Sequence, residues 1–353
     1  MARVALLLVG AVLAAPAAVA QEVDLDALVT FYADNTEFSN EFREGQTTLG
    51  SFARLFVEAR LDERVAVRGG VFANQTYGSD HAFDQVRPVL AIVVGGARSR
   101  LVRGTLETPR HVNGRGPDRT GPHGLLPPMQ QETLAFERPW EAGVQWLVES
   151  SRLTQDAWVN WQKVNTRTQR EIFDAGISSR LRIRPDLTWR ADAHVVHHGG
   201  QLSSIGPVAD SLSTATGFEA AGRAGILDRV SLEGLALISR FVPDREQPER
   251  HRTGFGGFLR VSAERADWRL HALLWRASDF IAEDGDRHYQ ALRRDGTQFR
   301  ALRDYAEAGL THTVRLAPTA FVEASVRWHL VERRDEYSFR IVAVAGLRTP
   351  LRR

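Results

Sequence analysis

The sequence is notable first for what it lacks. It contains no cysteine among 353 residues, which excludes disulfide bonds, thiolate zinc sites and iron–sulfur clusters. It contains a single lysine, Lys163, so arginine carries almost all of the positive charge. The formal net charge is only +2, which argues against a dedicated nucleic-acid-binding protein. Beyond residue 20 no run of 18 apolar residues occurs, which excludes a helical membrane protein.

The first twenty residues have the pattern of a secretory signal peptide. Arg3 supplies a short positive region, residues 4–13 form an apolar stretch, and residues 18–20 read Ala-Val-Ala, a typical cleavage site. We therefore expect residues 1–20 to be removed on export. We expect residues 21–347 to form one domain and residues 348–353 a short C-terminal tail.

The remainder of the chain alternates between apolar and polar residues with a period of two. From residue 255 to 263, for example, Leu259 and Val261 share one face, and Arg260 lies on the other. Successive side chains of a strand point to opposite faces, so this pattern predicts strands with one apolar and one polar face. Sixteen such segments are predicted, near 27–37, 47–61, 64–77, 86–95, 98–106, 141–152, 156–165, 171–183, 187–196, 213–226, 230–241, 253–264, 267–279, 304–316, 319–331 and 337–347.

The predicted connections alternate between short turns and longer loops along the whole chain. Short periplasmic turns and long extracellular loops are typical of outer-membrane barrels. The fold class predicted is therefore all-β, a transmembrane antiparallel up-and-down β-barrel of about sixteen strands. A soluble all-β protein of the periplasm is the alternative fold.

A cylinder of sixteen strands is too wide for side chains to fill, so we expect a wet lumen lined by the polar face. Charged residues of both signs fall on that face. The predicted lumen-lining residues are Arg54, Glu58, Arg60, Arg68, Asp174, Arg180, Arg182, Arg190, Asp192, Glu219, Arg223, Glu233, Arg260, Arg269, Glu307, Arg315, Glu323, Arg327 and Arg340.

In this pattern of strands and connections, residues 26–347 resemble the bacterial outer-membrane β-barrels, and most closely the general porins with sixteen strands. The resemblance is one of architecture, without a family-specific motif. In porins the third long loop folds into the pore and narrows it. The corresponding loop here covers residues 107–140, and its candidate constriction residues are Arg110, His111, Arg115, Asp118, Arg119 and His123. A surface loop over the rim is the alternative for this segment.

Trp158, Asn160 and Gln162 share the inward face of one predicted strand. An aromatic ring beside amides is a common way to hold a sugar, so these three residues are candidate solute contacts. The alternative is an ordinary polar lumen wall.

The function predicted from these observations is an outer-membrane pore for passive diffusion of small polar solutes. Export or surface anchoring of a polysaccharide is the first alternative. No nucleophile-elbow pattern occurs, so we expect no enzyme activity, with an outer-membrane lipid or peptide hydrolase as the remaining alternative. The expected partners are outer-membrane lipid, small polar or anionic solutes or a saccharide, and the barrel-assembly machinery. A homo-oligomer is compatible with the sequence, and no nucleic acid, cofactor or metal is expected.

Overall fold

The alternating segments form the strands of one sheet in a computed structural model, which describes residues 22–108, 122–200, 202 and 205–352. The sixteen strands are β1 (Glu22–Ser39), β2 (Glu44–Arg60), β3 (Val65–Thr76), β4 (Gln85–Gly96), β5 (Ser99–Thr105), β6 (Ala142–Glu149), β7 (Leu153–Lys163), β8 (Glu171–Arg184), β9 (Leu187–Gly199), β10 (Ala209–Ala224), β11 (Leu227–Val242), β12 (Arg252–Arg265), β13 (Trp268–Ser278), β14 (Leu302–Ala317), β15 (Ala320–Val331) and β16 (Arg334–Arg352). One helical turn, α1 (Leu134–Glu137), and two 3-10 turns, Pro248–Arg250 and Arg287–Tyr289, lie in the connections.

Each strand pairs antiparallel with its neighbours in the sequence, and the last strand pairs with the first. The β1–β16 register places Val29 opposite Ala345 and closes the sheet into a barrel. The predicted fold class and strand number are therefore confirmed. No helix among the described residues is long and apolar enough to span a membrane.

The two faces of the wall differ as the alternation requires. Leu259, Val261 and Ile341 are 41%, 43% and 52% exposed on the outside, whereas Arg260 between the first two is 8% exposed. An apolar outer band with a polar inner wall is the arrangement that suits a barrel in lipid.

The C-terminal residues differ from the expected tail. Strand β16 continues to Arg352, so residues 348–352 are paired with β1. The Arg348 guanidinium donates hydrogen bonds to Asp24 at 2.8 Å and to Glu58 at 2.9 Å. These charge-assisted contacts hold the end of the chain on the barrel wall.

Two connections fold into the lumen, and we call residues 122–141 and 279–301 together the lumen plug. Leu125, Leu126 and Met129 are fully buried there, in one apolar cluster with Phe280 and the wall residue Trp275. These two segments therefore occupy part of the lumen that the sequence predicts to be filled with water. Sixteen strands leave a space that wall side chains alone cannot fill, and chain segments occupy it instead.

Candidate functional site

A polar cavity of about 80 Å³ lies between the lumen plug and the inner wall. Residues of β1 and of β12 to β16 supply its wall side, and residues of the plug supply the other. Its chemistry-bearing lining includes Tyr305, Glu307, Arg327, His329, Ser338 and Arg340.

The regular alternation of three neighbouring strands brings these side chains together. Tyr305 and Glu307 are two residues apart on β14, so they project from the same face. Glu307 lies directly opposite His329 on β15, and Ser338 on β16 lies opposite Arg327. The register thus places a serine, a histidine, a tyrosine and a carboxylate side by side on one wall.

Hydrogen bonds connect these groups in a continuous chain. Ser338 Oγ is 2.9 Å from His329 Nε2, and His329 Nδ1 is 2.6 Å from the Tyr305 hydroxyl. The Tyr305 hydroxyl is in turn 2.6 Å from Glu307 Oε2. The other oxygen of Glu307 is 2.8 Å from His271 Nε2. All five side chains are less than 10% exposed.

The direction of these bonds defines the histidine tautomer. An ionised carboxylate only accepts hydrogen bonds, so the Tyr305 hydroxyl donates to Glu307. The Tyr305 oxygen then accepts from His329 Nδ1–H, which leaves Nε2 unprotonated. His329 Nε2 can therefore accept the proton of the Ser338 hydroxyl, as a general base must.

Arginines flank the serine and are held by carboxylates of the plug and the wall. Arg340 donates to Glu132 at 2.7 Å and forms a bidentate pair with Asp34 at 3.0 and 3.1 Å. Arg327 contacts the same Glu132 carboxylate at 2.8 Å. Burial alone would raise the pKa of Glu132, but the two guanidinium groups outweigh it and lower the pKa. This ionised carboxylate joins the plug to the wall formed by β15 and β16.

A second buried histidine, His288, lies beside Tyr305. Asn40 Nδ2 donates to Glu336 at 2.6 Å and lies 3.1 Å from His288 Nε2. Burial, followed by the nearby Arg43 charge, lowers the pKa of His288 well below its usual value. His288 is therefore neutral, and its ring stacks on Tyr305 with centroids 5.2 Å apart.

The predicted solute contacts are engaged with protein. Trp158 Nε1, Asn160 Nδ2 and Gln162 Nε2 all donate to the Asp174 carboxylate, at 2.9, 2.8 and 2.8 Å. The imidazole of His123 stacks on the Trp158 ring. Residues 122–141 thus cover this part of the wall, and the contact of these three side chains with a solute stays a prediction.

The strand alternation places all nineteen predicted lumen-lining residues on the inner face. Many of them are paired, as in Arg68 with Glu58 and Arg260 with Glu233, each at 2.6 Å. Arg60, Arg182, Arg223 and Arg315 are exposed near the short-turn end. Of the candidate constriction residues, His123 lies inside the barrel, and Arg110, His111, Arg115, Asp118 and Arg119 lie outside the described residues.

Comparison with known protein families assigns the chain to a family, which the geometry alone could not do. The model of the lipid A 3'-O-deacylase-type family matches residues 15–347. The chain belongs to this family. The expectation of no enzyme activity is therefore wrong, because the lipid A 3'-O-deacylase-type family is a family of enzymes. No curated protein matches the chain.

Solved structures agree with the fold of this lipid A 3'-O-deacylase-type chain. It is similar to a loop L8 deletion mutant of the outer membrane protein OmpT of Vibrio cholerae, with 13% identity, 92% and 99% of the two chains covered and a TM-score of 0.55. It is also similar to OccK8 (OprE) of Pseudomonas aeruginosa, with 11% identity, 94% and 99% coverage and a TM-score of 0.53. Another similar structure is the outer membrane protein OpdK of that organism, with 12% identity, 94% and 100% coverage and a TM-score of 0.51. These likenesses support the barrel of outer-membrane proteins.

The sequence interpretation missed three members of the site, namely Tyr305, His329 and Ser338. It placed Glu307, Arg327 and Arg340 on the inner face, and His329 shares the phase of Arg327. The sequence therefore did contain a signal for the site, because the alternation of three consecutive strands points these side chains to the same inner face. Among the described residues no group of three or more histidine, aspartate or glutamate side chains is arranged to hold a metal.

Proposed function

We propose that this chain is an outer-membrane hydrolase that removes an ester-linked acyl chain from lipid A. The observation that carries the proposal is the contact of 2.9 Å between Ser338 Oγ and His329 Nε2 in a buried, charged cavity. A nucleophile bonded to a base, with that base oriented by a third group, is the general arrangement for acyl transfer. The family supplies the substrate class.

The reaction proceeds in two steps, acylation of Ser338 and hydrolysis of the acyl–serine. Ser338 Oγ attacks the ester carbonyl carbon while His329 Nε2 takes the hydroxyl proton. The ester C–O bond then breaks, and His329 returns that proton to the sugar oxygen that leaves. A water molecule next attacks the acyl–serine carbonyl while His329 Nε2 takes one of its protons. The bond between the carbonyl carbon and Ser338 Oγ then breaks, His329 returns the proton to Ser338 Oγ, and the fatty acid leaves.

Negative charge develops on the carbonyl oxygen during both attacks. Arg327 lies across from Ser338 in the strand register, and Arg340 is two residues along the same face. Their fixed positive charges in a site shielded from water stabilise such an oxyanion. The ion pairs with Glu132 and Asp34 keep the two guanidinium groups in place.

The height of the site in the wall supports a lipid as substrate. Ser338 stands between Tyr337 and Phe339, which are 50% and 46% exposed on the outer face. Trp328, next to His329, lies directly opposite Tyr337. Exposed aromatic residues near strand ends are typical of the membrane interface, where the polar part of a lipid meets its acyl chains.

The direct test is hydrolysis of purified lipid A by the refolded barrel in detergent, followed by mass spectrometry of the released fatty acid. We expect wild-type protein to release an ester-linked acyl chain and Ser338→Ala to lose at least about 10³-fold in rate. His329→Gln should lose a similar factor, because it removes the base.

The matched control is Ser213→Ala, which removes the hydroxyl of a buried serine on the inner face of β10. This variant should retain wild-type activity. Equal activity of Ser338→Ala and wild type would contradict the serine mechanism, and no release of acyl chain by the folded wild type would contradict the proposed function.

A pore is the second candidate, and one observation favours it. The cavity runs between Glu132 of the plug and the wall residues Arg260, Arg269 and Arg340, so opposite charges face each other across it. Charged constrictions of this kind control ion passage in channels. Steady conductance of the wild-type protein in a planar bilayer, without acyl release, would favour this candidate over the hydrolase.

A further inference from the structure

Tyr305 occupies the place where a carboxylate would be expected to orient the histidine. The Tyr305 hydroxyl contacts His329 Nδ1 and Glu307 Oε2 at 2.6 Å each. The direct distance from Glu307 Oε2 to His329 Nδ1 is 3.6 Å, beyond a normal hydrogen bond. The carboxylate therefore reaches the imidazole only through the phenol.

We propose that Tyr305 is the positioning residue that holds His329 in its catalytic tautomer and transmits the charge of Glu307 to it. This inference rests on the proposed function, because it concerns the same serine and histidine. In the first step, the Ser338 proton moves to His329 Nε2 and the imidazole becomes positive. The Nδ1–H bond to the Tyr305 oxygen and the Tyr305 bond to Glu307 both strengthen as that charge develops.

Neighbouring side chains hold the hydrogen-bonded chain Glu307–Tyr305–His329, which we call the relay, in one geometry. His271 Nε2 is 2.8 Å from Glu307 Oε1, and Arg327 Nη1 is 3.7 Å from the same oxygen. The Tyr305 ring packs edge to face against Tyr289, with centroids 4.8 Å apart, and stacks on His288. These ring contacts fix the phenol, so its hydroxyl stays between the donor His329 Nδ1–H and the acceptor Glu307 Oε2.

Loss of the hydroxyl would release the histidine from this constraint. In Tyr305→Phe, the ring and its packing remain, but His329 Nδ1 loses its acceptor. The imidazole can then carry its proton on Nε2, in the tautomer that cannot accept the Ser338 proton. A wrong tautomer in a serine–histidine pair costs up to about 10⁴-fold in turnover, although the geometry is intact.

The experiment uses a fluorophosphonate probe on the full barrel, because this probe reports the serine without the natural substrate. The Ser338 oxygen forms a bond to phosphorus, the P–F bond breaks, and fluoride leaves with the serine proton carried by His329. We expect wild type to be labelled on Ser338 and Tyr305→Phe to be labelled about 10²-fold more slowly or worse. The pH dependence of labelling should also change, which a purely structural role of the tyrosine would not cause.

Tyr32→Phe is the control, because it removes the hydroxyl of a buried tyrosine on β1 that takes no part in the contacts of Tyr305, His329 and Ser338. It should be labelled at the wild-type rate, and a mobility shift on heating confirms that each variant is folded. Wild-type labelling of Tyr305→Phe would overturn the inference, as would failure of wild type to label on Ser338. Labelling of Ser338 without hydrolysis of lipid A would contradict the proposed substrate and leave the role of Tyr305 supported.

Discussion

The imidazole of His123 lies flat on the indole of Trp158, with ring centroids 3.7 Å apart and planes 4° from parallel. Its two nitrogens contact Glu141 at 2.7 Å and Asp156 at 2.9 Å. Burial alone would lower the pKa of His123, but these carboxylates outweigh it and raise the pKa to about 10. A positively charged ring on an aromatic face, between two acids, attaches the plug to β7.

We therefore expect this attachment to weaken in alkaline solution. The pKa of His123 is higher in the folded state than the ordinary 6.5, so its stabilisation is complete below about pH 6.5. It is lost as the pH rises through about 10. Limited proteolysis of the plug should accelerate between pH 7 and 10 in wild type. His123→Gln should be cleaved faster at pH 7, with a smaller dependence on pH, and equal pH dependence of the two proteins would contradict this account.

The packing of the plug should control whether the barrel conducts. Leu126 is fully buried in the apolar cluster of the lumen. An unpaired carboxylate there costs several kcal/mol, so Leu126→Asp should expel the plug. We expect a severalfold higher single-channel conductance than in wild type. Leu202→Asp, at a leucine that is 79% exposed, is the control and should leave the conductance unchanged. A low conductance of Leu126→Asp would mean that the plug does not close the lumen.

Arg190 should contribute far more to stability than a surface arginine. Its side chain is buried and donates to Asp192, Glu233 and the Gly124 carbonyl oxygen, each at 2.7 Å. Removing one partner of a buried ion pair costs about 3–5 kcal/mol. Arg190→Met should therefore lower the free energy of unfolding by about that amount in urea. Arg184→Met breaks an exposed pair with Asp186 and should cost about 0–1 kcal/mol. Similar losses in both variants would refute the assignment.

Two adjacent glycines on β12 should respond differently to alanine. A Cβ at Gly256 would lie 2.2 Å from the Trp275 ring, whereas nothing lies within 4 Å of one at Gly257. Trp275 is buried and bonded through Nε1 to the Tyr289 carbonyl oxygen, so it has little room to move. Gly256→Ala should lower the unfolding free energy by about 1–3 kcal/mol, and Gly257→Ala should be nearly neutral. The mobility shift on heating, measured against temperature, distinguishes the two.

The alternation in the sequence was sufficient to predict the barrel, because each strand buries one face and exposes the other to lipid. The same phase placed Glu307, Arg327 and Arg340 on the inner wall. The alternation could not reveal the plug. The segments around Leu125 and Phe280 are not strands, and their sequences show no alternation from which their position in the lumen could be inferred.

The hydrogen-bonded chain of Tyr305, His329 and Ser338 was not predictable in the same way. Tyr305, His329 and Ser338 belong to three different strands, so no local motif contains them. Their contacts depend on the register of β14 with β15 and of β15 with β16. A shift of two residues in either pairing would preserve every face and still separate the serine from the histidine.

The pairing of β1 with β16 has a consequence for assembly order. The two strands that close the barrel are the first and last parts of the described chain, so their contacts have the largest sequence separation in the molecule. Such contacts form late, and until then both edges of an incomplete sheet are open to mispairing. The wall around the plug segments is therefore complete only once the last part of the chain has paired with the first.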